Sequence, residues 1–289
     1  MKLYLGLKFC KLLEERTMKE EKNIQELQKD SLEELSDKDL LFLIKSYVTI
    51  RNDYENIANL IRGDEDIIGK MIDSDRVFGE VMNCKERVLE VSPYFLFSLL
   101  LRRALKEKRE DSGFIEETIE ALNSVDPVTP WNKKRLLSFL EDKKISNYIA
   151  NMLTRFAKSS RLFKIIEGEE ESYHYIVDMI SDSLQSDNIR KFYVYCHIGN
   201  YALFLTGMVP EYIEYRYEYK KRPVDEHYYV DFGKAYYGLA SEHTNARKNS
   251  LSGTLSQLSE GFEVVVQILR FMNNEYLCPD KVKTCGKIY

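Results

Sequence analysis

The chain has 289 residues and a formal net charge of -5 at pH 7. Nucleic-acid-binding proteins normally carry a basic excess that neutralises phosphates, so this charge argues against that class, although a local basic patch stays open. The low counts of 13 glycines and 6 prolines, with 44% hydrophobic residues, argue against disorder and against a many-turned β architecture. We predict an all-α protein, a multi-helix bundle or array of roughly ten helices.

The cysteines and the apolar runs of the sequence indicate the cellular compartment of the protein. The cysteines are odd in number and form no C-x-x-C pair, which fits a reducing cytoplasm better than a disulfide framework or a zinc site. No apolar run reaches the roughly 18 residues that a membrane helix needs. We therefore expect a soluble cytoplasmic protein with no membrane association and no cofactor. Residues 1–17, ahead of Met18, are interpreted either as a disordered extension or as the result of an upstream start.

Helix start and stop signals recur along the N-terminal part. Ser36 precedes an apolar periodic stretch that ends at Gly63, which predicts one capped helix. Residues 65–82 predict a second helix, and Ser92 with Pro93 supplies the N-cap and first residue of a third.

A proline-containing segment at 124–131 is the strongest linker candidate. It divides the chain into an N-terminal helical region, 18–125, and a C-terminal helical region, 131–289. We expect the two regions to pack together as one globular unit.

The end of the chain has the clearest helical pattern. Apolar residues step by alternating fours and threes, which predicts one long helix: Leu251, Leu255, Leu258, Phe262, Val265, Leu269, Met272 and Tyr276. A second apolar stripe, at Val264, Ile268 and Phe271, favours an internal packing helix over an exposed dimerisation coil.

The segment CHIGNYALFLTGMVPEY, residues 196–212, is almost uncharged. At 100° per residue, Gly199, Ala202 and Thr206 share one side of a helix, and His197 lies with aromatic residues on the opposite side. A helix that is apolar all round is buried, and a side of small residues lets a neighbouring helix approach closely. Pro210 is placed to begin the next helix.

The motif IGNYALFLTGMVPE, followed by HYYVDFGKAYYGLA, resembles a pattern in an uncharacterised all-helical family of prokaryotic proteins. The resemblance mainly covers residues 140–276 and implies an all-helical fold without an assigned activity. In that family an aspartate usually occupies the position of Asn200. The amide in this chain argues against carboxylate chemistry at that position.

Two histidines fall on apolar helix faces. The sharper hypothesis is a polar pocket in the helical core where four residues meet: His197, Asn200, Tyr236 and His243. The simpler interpretation is a pair of hydrogen-bonded core histidines. The spacing Glu171-x-x-His174 matches half of a ferritin-like iron motif, but His174 is expected to face solvent and no second copy exists, so we expect no metal site.

The stretch after Pro210 is rich in tyrosine. On a helical wheel its tyrosines share one side, glutamates another, and Arg216 with Lys220 a third. The candidate interaction surface comprises Tyr212, Tyr215, Tyr219, Lys220, Lys221 and Arg222. Helix packing, a protein partner and base stacking are all compatible with these residues, but the interleaved glutamates count against nucleic acid.

Catalytic sequence templates are missing from the chain. It contains no G-x-S-x-G, phosphate-binding loop, H-E-x-x-H or G-x-G-x-x-G pattern. We therefore expect a non-enzymatic cytoplasmic helical protein, a scaffold or regulatory module that binds a protein partner or itself. The alternative is a small-ligand or metal-binding protein, or an unfamiliar enzyme, with a polar pocket in the helical core.

Overall fold

The computed structural model describes residues 31–32, 35–48, 50, 53–83, 91–125, 129–218 and 224–277. Within these ranges it contains 16 α-helices and no strand, which confirms the all-α class. The predicted number of about ten helices is too low. Several stretches that the periodicity joined into one helix are divided into two.

The described helices range from 4 to 21 residues in length. They are numbered in chain order as α1 (Asp37–Tyr47), α2 (Tyr54–Ile61), α3 (Glu65–Ile72), α4 (Asp75–Asn83), α5 (Pro93–Glu110), α6 (Ser112–Val125), α7 (Lys133–Leu140) and α8 (Lys143–Phe156). The remainder are α9 (Ser159–Leu162), α10 (Ile176–Gln185), α11 (Asn188–Met208), α12 (Pro210–Glu218), α13 (Glu226–Glu242), α14 (Thr244–Lys248), α15 (Ser252–Glu260) and α16 (Phe262–Met272). A single π-helical turn, Asn273–Leu277, follows α16.

Two predicted N-caps are confirmed. The Ser36 hydroxyl accepts the Asp39 N–H, and the Ser92 hydroxyl accepts the Phe95 N–H at 3.1 Å, with Pro93 in the first turn of α5. The buried Asp39 carboxylate also accepts the Ser92 N–H at 2.7 Å. This carboxylate therefore ties the start of α5 to the start of α1.

The predicted single helix between Ser36 and Gly63 is wrong, because α1 ends at Tyr47 and α2 begins only at Tyr54. The chain is extended at Val48, where a run of β-branched residues begins, and such residues lose side-chain freedom in a helix. The terminus at Gly63 is confirmed, since its φ of 82° is the left-handed conformation of a helix end.

The predicted long helix at the end of the chain is also divided. Helix α15 ends at Glu260, and Gly261 separates it from α16. A methyl group at Gly261 would lie 2.5 Å from the Phe139 ring, so the glycine lets α7 approach this junction. The apolar residues keep their spacing of threes and fours across the break, because α15 and α16 both bury their apolar stripe in the same core.

The buried apolar residues form two clusters. The first comprises Leu32 and Leu35 ahead of α1, residues of α1–α4, the beginning of α5 and Ala150, and the second extends from Leu100 to Met272. Helix α5 belongs to both, because Phe95 and Leu99 lie in the first cluster and Leu101 in the second. The change of cluster therefore occurs within α5.

Helix α11 is the centre of the second cluster. As predicted for an apolar helix, it is buried, with 15 of its 21 residues inside the protein. It packs against α13, α16, α10 and α8. A methyl group at Gly199 would lie 2.6 Å from the Tyr237 ring, and one at Gly207 would lie 2.8 Å from Leu269. These glycines therefore admit side chains of α13 and α16 directly against the α11 backbone.

No helix among the described residues is long and apolar enough to cross a lipid bilayer. The expectation drawn from the apolar runs is confirmed to that extent.

Gly233 on α13 gives a test of this close packing. A methyl group there would overlap the Phe262 ring and touch the Ala202 methyl group at 3.0 Å. We expect Gly233→Ala to lower the free energy of unfolding by roughly 1–3 kcal/mol, since overpacking outweighs the better helix propensity of alanine. Urea unfolding followed by circular dichroism measures this change.

Gly253 on α15 is the matched control, because nothing lies within 4 Å of a methyl group placed there. Gly253→Ala should be neutral or stabilising by up to about 1 kcal/mol. Equal effects of the two substitutions would contradict the packing argument.

Candidate functional site

His197 lies on α11 inside the second cluster and is only 2% exposed. Its ring meets the Phe156 ring edge-on at 5.7 Å and lies nearly parallel to the Tyr201 ring at 6.3 Å. No hydrogen bond of normal geometry reaches either imidazole nitrogen within the described part of the chain, although the Leu162 backbone lies close enough to oppose the lowering of the His197 pKa. Burial, together with the positive charge of Arg155, lowers the pKa of His197 to about 3. The imidazole is therefore neutral at physiological pH.

Asn200 is also buried, and its partner is Tyr237 on α13. The Tyr237 hydroxyl donates to Asn200 Oδ1 at 2.8 Å. Burial raises the pKa of Tyr237 and of the neighbouring Tyr148, and raises that of the Cys196 thiol to about 12. These groups stay protonated at neutral pH, so the thiol is not a nucleophile.

The other two residues of the predicted pocket lie in different surroundings. His243 follows the end of α13, where Nδ1 accepts the Asn245 N–H at 3.1 Å and Nε2 lies 3.1 Å from Asn188 Oδ1. It therefore caps α14. Tyr236 is half-buried and meets the Tyr195 ring at 5.4 Å.

Asn200 and His243 have different hydrogen-bond partners, Tyr236 contacts the Tyr195 ring, and no hydrogen bond joins any two of the four predicted pocket residues. Packed rings surround His197. Two grooves, of about 430 and 360 Å³, lie elsewhere, and none of the four residues lines either of them. The pocket hypothesis placed the α13 stripe with Phe232, Tyr236 and His243 in the core, beside His197 of α11. Helix α13 instead buries the side with Tyr229, Gly233 and Tyr237.

Of the predicted interaction surface, only Tyr212 and Tyr215 fall within the described residues, since positions 219–222 lie outside them. Tyr212 is half-buried and Tyr215 is 50% exposed. Arg216, which the helical wheel set apart from the tyrosines, is buried with Ile213 on the inner face of α12. The sequence analysis expected Arg216 at the surface, because a buried arginine is uncommon.

The apolar stripe of α13 that was expected in the core, with Phe232, Tyr236 and Leu239, lies half-buried or exposed at the surface. We define the aromatic ridge as the half-buried or exposed residues Tyr195, Tyr228, Phe232, Tyr236 and Leu239. The Phe232 ring lies 4.4 Å from that of Tyr228 and stacks on that of Tyr236 at 6.0 Å. The last four members, at spacings of four, four and three, form a line of about 16 Å along the helix.

The ridge has an acidic border. Asp231 and Glu242 are exposed on α13, beside the ridge, and Ala235 lies between them on the same side. Burial raises the pKa of Tyr236 and of Tyr228, so their hydroxyls stay neutral at physiological pH. The surface therefore combines neutral rings with a negative edge.

The remaining histidines lie at the surface. His174 is exposed, as expected, although its ring packs on that of Phe163 at 4.2 Å. His227 lies 3.7 Å from Asp231 on the exposed side of α13. No group of three or more metal-ligating side chains occurs among the residues that the structure describes.

No protein-family model, curated protein or solved structure matches the chain. The resemblance to a prokaryotic helical family therefore stays a prediction.

The buried neutral His197 predicts a pH-dependent stability. Its folded pKa of about 3 lies below the unfolded value near 6.5, so the unfolded chain binds the proton first as the pH falls. Relative to His197→Phe, the protein should lose roughly 2–3 kcal/mol between pH 7 and pH 4.5. Urea unfolding of both proteins across this range measures the difference, and parallel pH profiles would contradict a buried neutral imidazole.

The Asn200–Tyr237 hydrogen bond predicts an asymmetry between neighbouring tyrosines. Tyr237→Phe leaves Asn200 Oδ1 without its hydroxyl donor inside the core and should cost roughly 1–3 kcal/mol. Tyr236→Phe, on the half-buried side of the same helix, should change stability by less than about 0.5 kcal/mol. If thermal unfolding shows the same loss of stability in both variants, the buried hydrogen bond makes no specific contribution to stability.

Proposed function

We propose that the chain is a non-enzymatic helical module of the cytoplasm that binds another protein through the aromatic ridge. The observation that supports this proposal most directly is that α13 has two apolar faces. One face, with Tyr229, Gly233 and Tyr237, packs into the core, and the other leaves neutral rings at the surface. Tyrosine and phenylalanine are enriched at protein interfaces, where both bury a ring and the tyrosine hydroxyl keeps a polar contact.

The geometry around the core residues supports this proposal over a ligand pocket. His197 is enclosed by the rings of Phe156 and Tyr201, and Asn200 is bonded to Tyr237. The buried Cys196 has a raised pKa, which disfavours a thiolate. The residues that sequence patterns suggested for chemistry therefore serve the packing of α11.

The shape and charge of the ridge favour a helical partner segment. A straight line of side chains about 16 Å long suits a helix that presents apolar residues at matching spacings of three and four. The acidic border at Asp231 and Glu242 favours lysine or arginine beside that apolar stripe. We therefore assign the partner as a protein with a basic amphipathic helix.

A displayed library of helical peptides tests this assignment. The selected peptides should carry an apolar stripe with basic flanks and should bind the protein in solution. Leu239 is 46% exposed within the ridge, and Leu239→Lys should weaken binding at least about tenfold, because it places a cation in the apolar contact. Fluorescence anisotropy with a labelled peptide measures the loss.

Leu184→Lys is the matched control, since Leu184 on α10 is 77% exposed and lies outside the ridge. It should leave peptide binding unchanged. Equal binding by both variants, or the selection of no peptide, would overturn the proposal. Sedimentation equilibrium supplies a further check, because a dimer that Leu239→Lys disrupts would identify the occupant as a second copy instead.

A further inference from the structure

A groove between α7 and α15 provides room for a small molecule at the protein surface. It has a volume of about 430 Å³, opens to solvent and is the larger of the two grooves named above. We call it the tryptophan groove, and its lining includes Trp131, Arg135, Ser138 and Phe139 on one side and Gln257 and Glu260 of α15 on the other. Sites for small ligands commonly have volumes of about 300–1,000 Å³. The tryptophan groove is therefore large enough for such a ligand.

The base of the tryptophan groove is aromatic. Trp131 and Phe139 are each 7% exposed, and their rings meet edge to face with centres 5.7 Å apart. Because both rings are buried and also line the groove, they lie at its base and form what we call the aromatic floor. An aromatic ring of a ligand can meet the edges of these rings with its face, a geometry that aromatic pairs prefer.

Arg135 places a fixed positive charge beside this floor. Its central guanidinium carbon lies 4.1 Å from the centre of the Trp131 ring. Nη1 donates to the Thr129 carbonyl oxygen at 2.9 Å, and Nη2 pairs with the Glu260 carboxylate of α15. A side chain that is already held in place loses little conformational entropy when a ligand binds.

The first turn of α7 concentrates positive charge at the groove. Lys133, Lys134 and Arg135 follow one another there, and the N-cap is the neutral Asn132, whose Oδ1 accepts the Arg135 N–H at 3.0 Å. The helix dipole disfavours cations in a first turn, so these charges do not stabilise α7. Lys134 and Arg135 line the groove together with a single carboxylate, that of Glu260. The lining is therefore positively charged.

We propose that the tryptophan groove binds a small organic anion, a phosphate or carboxylate group attached to an aromatic ring. The exposed Lys134 ammonium group pairs with the anionic group, and the fixed guanidinium of Arg135 adds to the positive potential. Ser138 and Gln257 supply hydrogen-bonding groups from the two walls, and the ring of the ligand packs on the aromatic floor. This inference does not depend on the aromatic ridge, which lies on α13.

Fluorescence titration tests the proposal, because Trp131 is the only tryptophan of the chain and its emission therefore reports on this groove. The probes are phenyl phosphate and phenylacetate, with benzyl alcohol as an uncharged compound that carries the same ring, all at equal ionic strength. At least one anion should change the emission saturably, with a Kd on the order of 1 mM or tighter for a ligand of this size. Benzyl alcohol should bind at least about tenfold more weakly, since it makes no ion pair.

The two anions distinguish the anionic group. Saturation by phenyl phosphate alone assigns a phosphate, saturation by phenylacetate alone assigns a carboxylate, and saturation by both assigns the negative charge that they share. No saturable change with either anion, or equal binding of benzyl alcohol, would overturn the proposal.

Variants connect the binding to the groove. Lys134→Glu reverses a charge in the lining and should weaken binding of the anion at least about tenfold. Lys133→Glu is the matched control, because Lys133 is exposed in the same turn of α7 but lies outside the groove. It should weaken binding less than about threefold at physiological ionic strength, since salt screens the more distant charge.

Ser138→Phe tests the space in the groove without a change of charge. Its ring occupies the volume beside the aromatic floor, so it should also weaken binding at least about tenfold. Undiminished binding by Ser138→Phe, or equal losses in Lys133→Glu and Lys134→Glu, would overturn the assignment to the tryptophan groove.

Discussion

The close approach of neighbouring helices to α11 is the constraint on which the rest of the structure depends. Gly199 and Gly207 on α11 admit Tyr237 and Leu269, and Gly233 on α13 admits Phe262. In these contacts a side chain packs directly against the backbone of a glycine. The polar groups of α11 are therefore enclosed in the core. Asn200 then needs a partner inside that core, and Tyr237 supplies it at 2.8 Å.

This packing also determines which side of α13 faces outward. The helix directs Tyr229, Gly233 and Tyr237 inward because Gly233 must face Phe262, and this rotation leaves Tyr228, Phe232 and Tyr236 at the surface. A helix with two apolar faces at the edge of the core can bury only one of them within its own chain. The aromatic ridge is therefore a consequence of the core, and its rings are the surface on which the proposed protein contact rests.

Local chemistry made much of the fold predictable from sequence. Ser36, Ser92 with Pro93, and Gly63 mark helix ends through side-chain caps and a left-handed turn, which short sequence patterns report directly. Helix breaks were harder to predict. The apolar period runs through Gly261 without interruption, and only the tertiary contact with Phe139 explains the junction there.

The candidate sites were less predictable, because they depend on the rotation of helices and not on their existence. A helical wheel places Tyr236 and His243 on one stripe, but one became part of the surface ridge and the other a cap of α14. Arg216 was assigned to a polar side for the same reason, and its burial became visible only with the Tyr175 and Tyr212 rings in place.

Hydroxyl-radical footprinting tests the central claim, a sealed core with its binding surface on the outer face of α13. The labelling of the purified protein is compared with that of the protein in an extract of the cells that produce it. The account predicts protection of Tyr228, Phe232, Tyr236 and Leu239 in the extract, with Leu184 unchanged. Unchanged labelling of the ridge, together with protection at another surface, would contradict it.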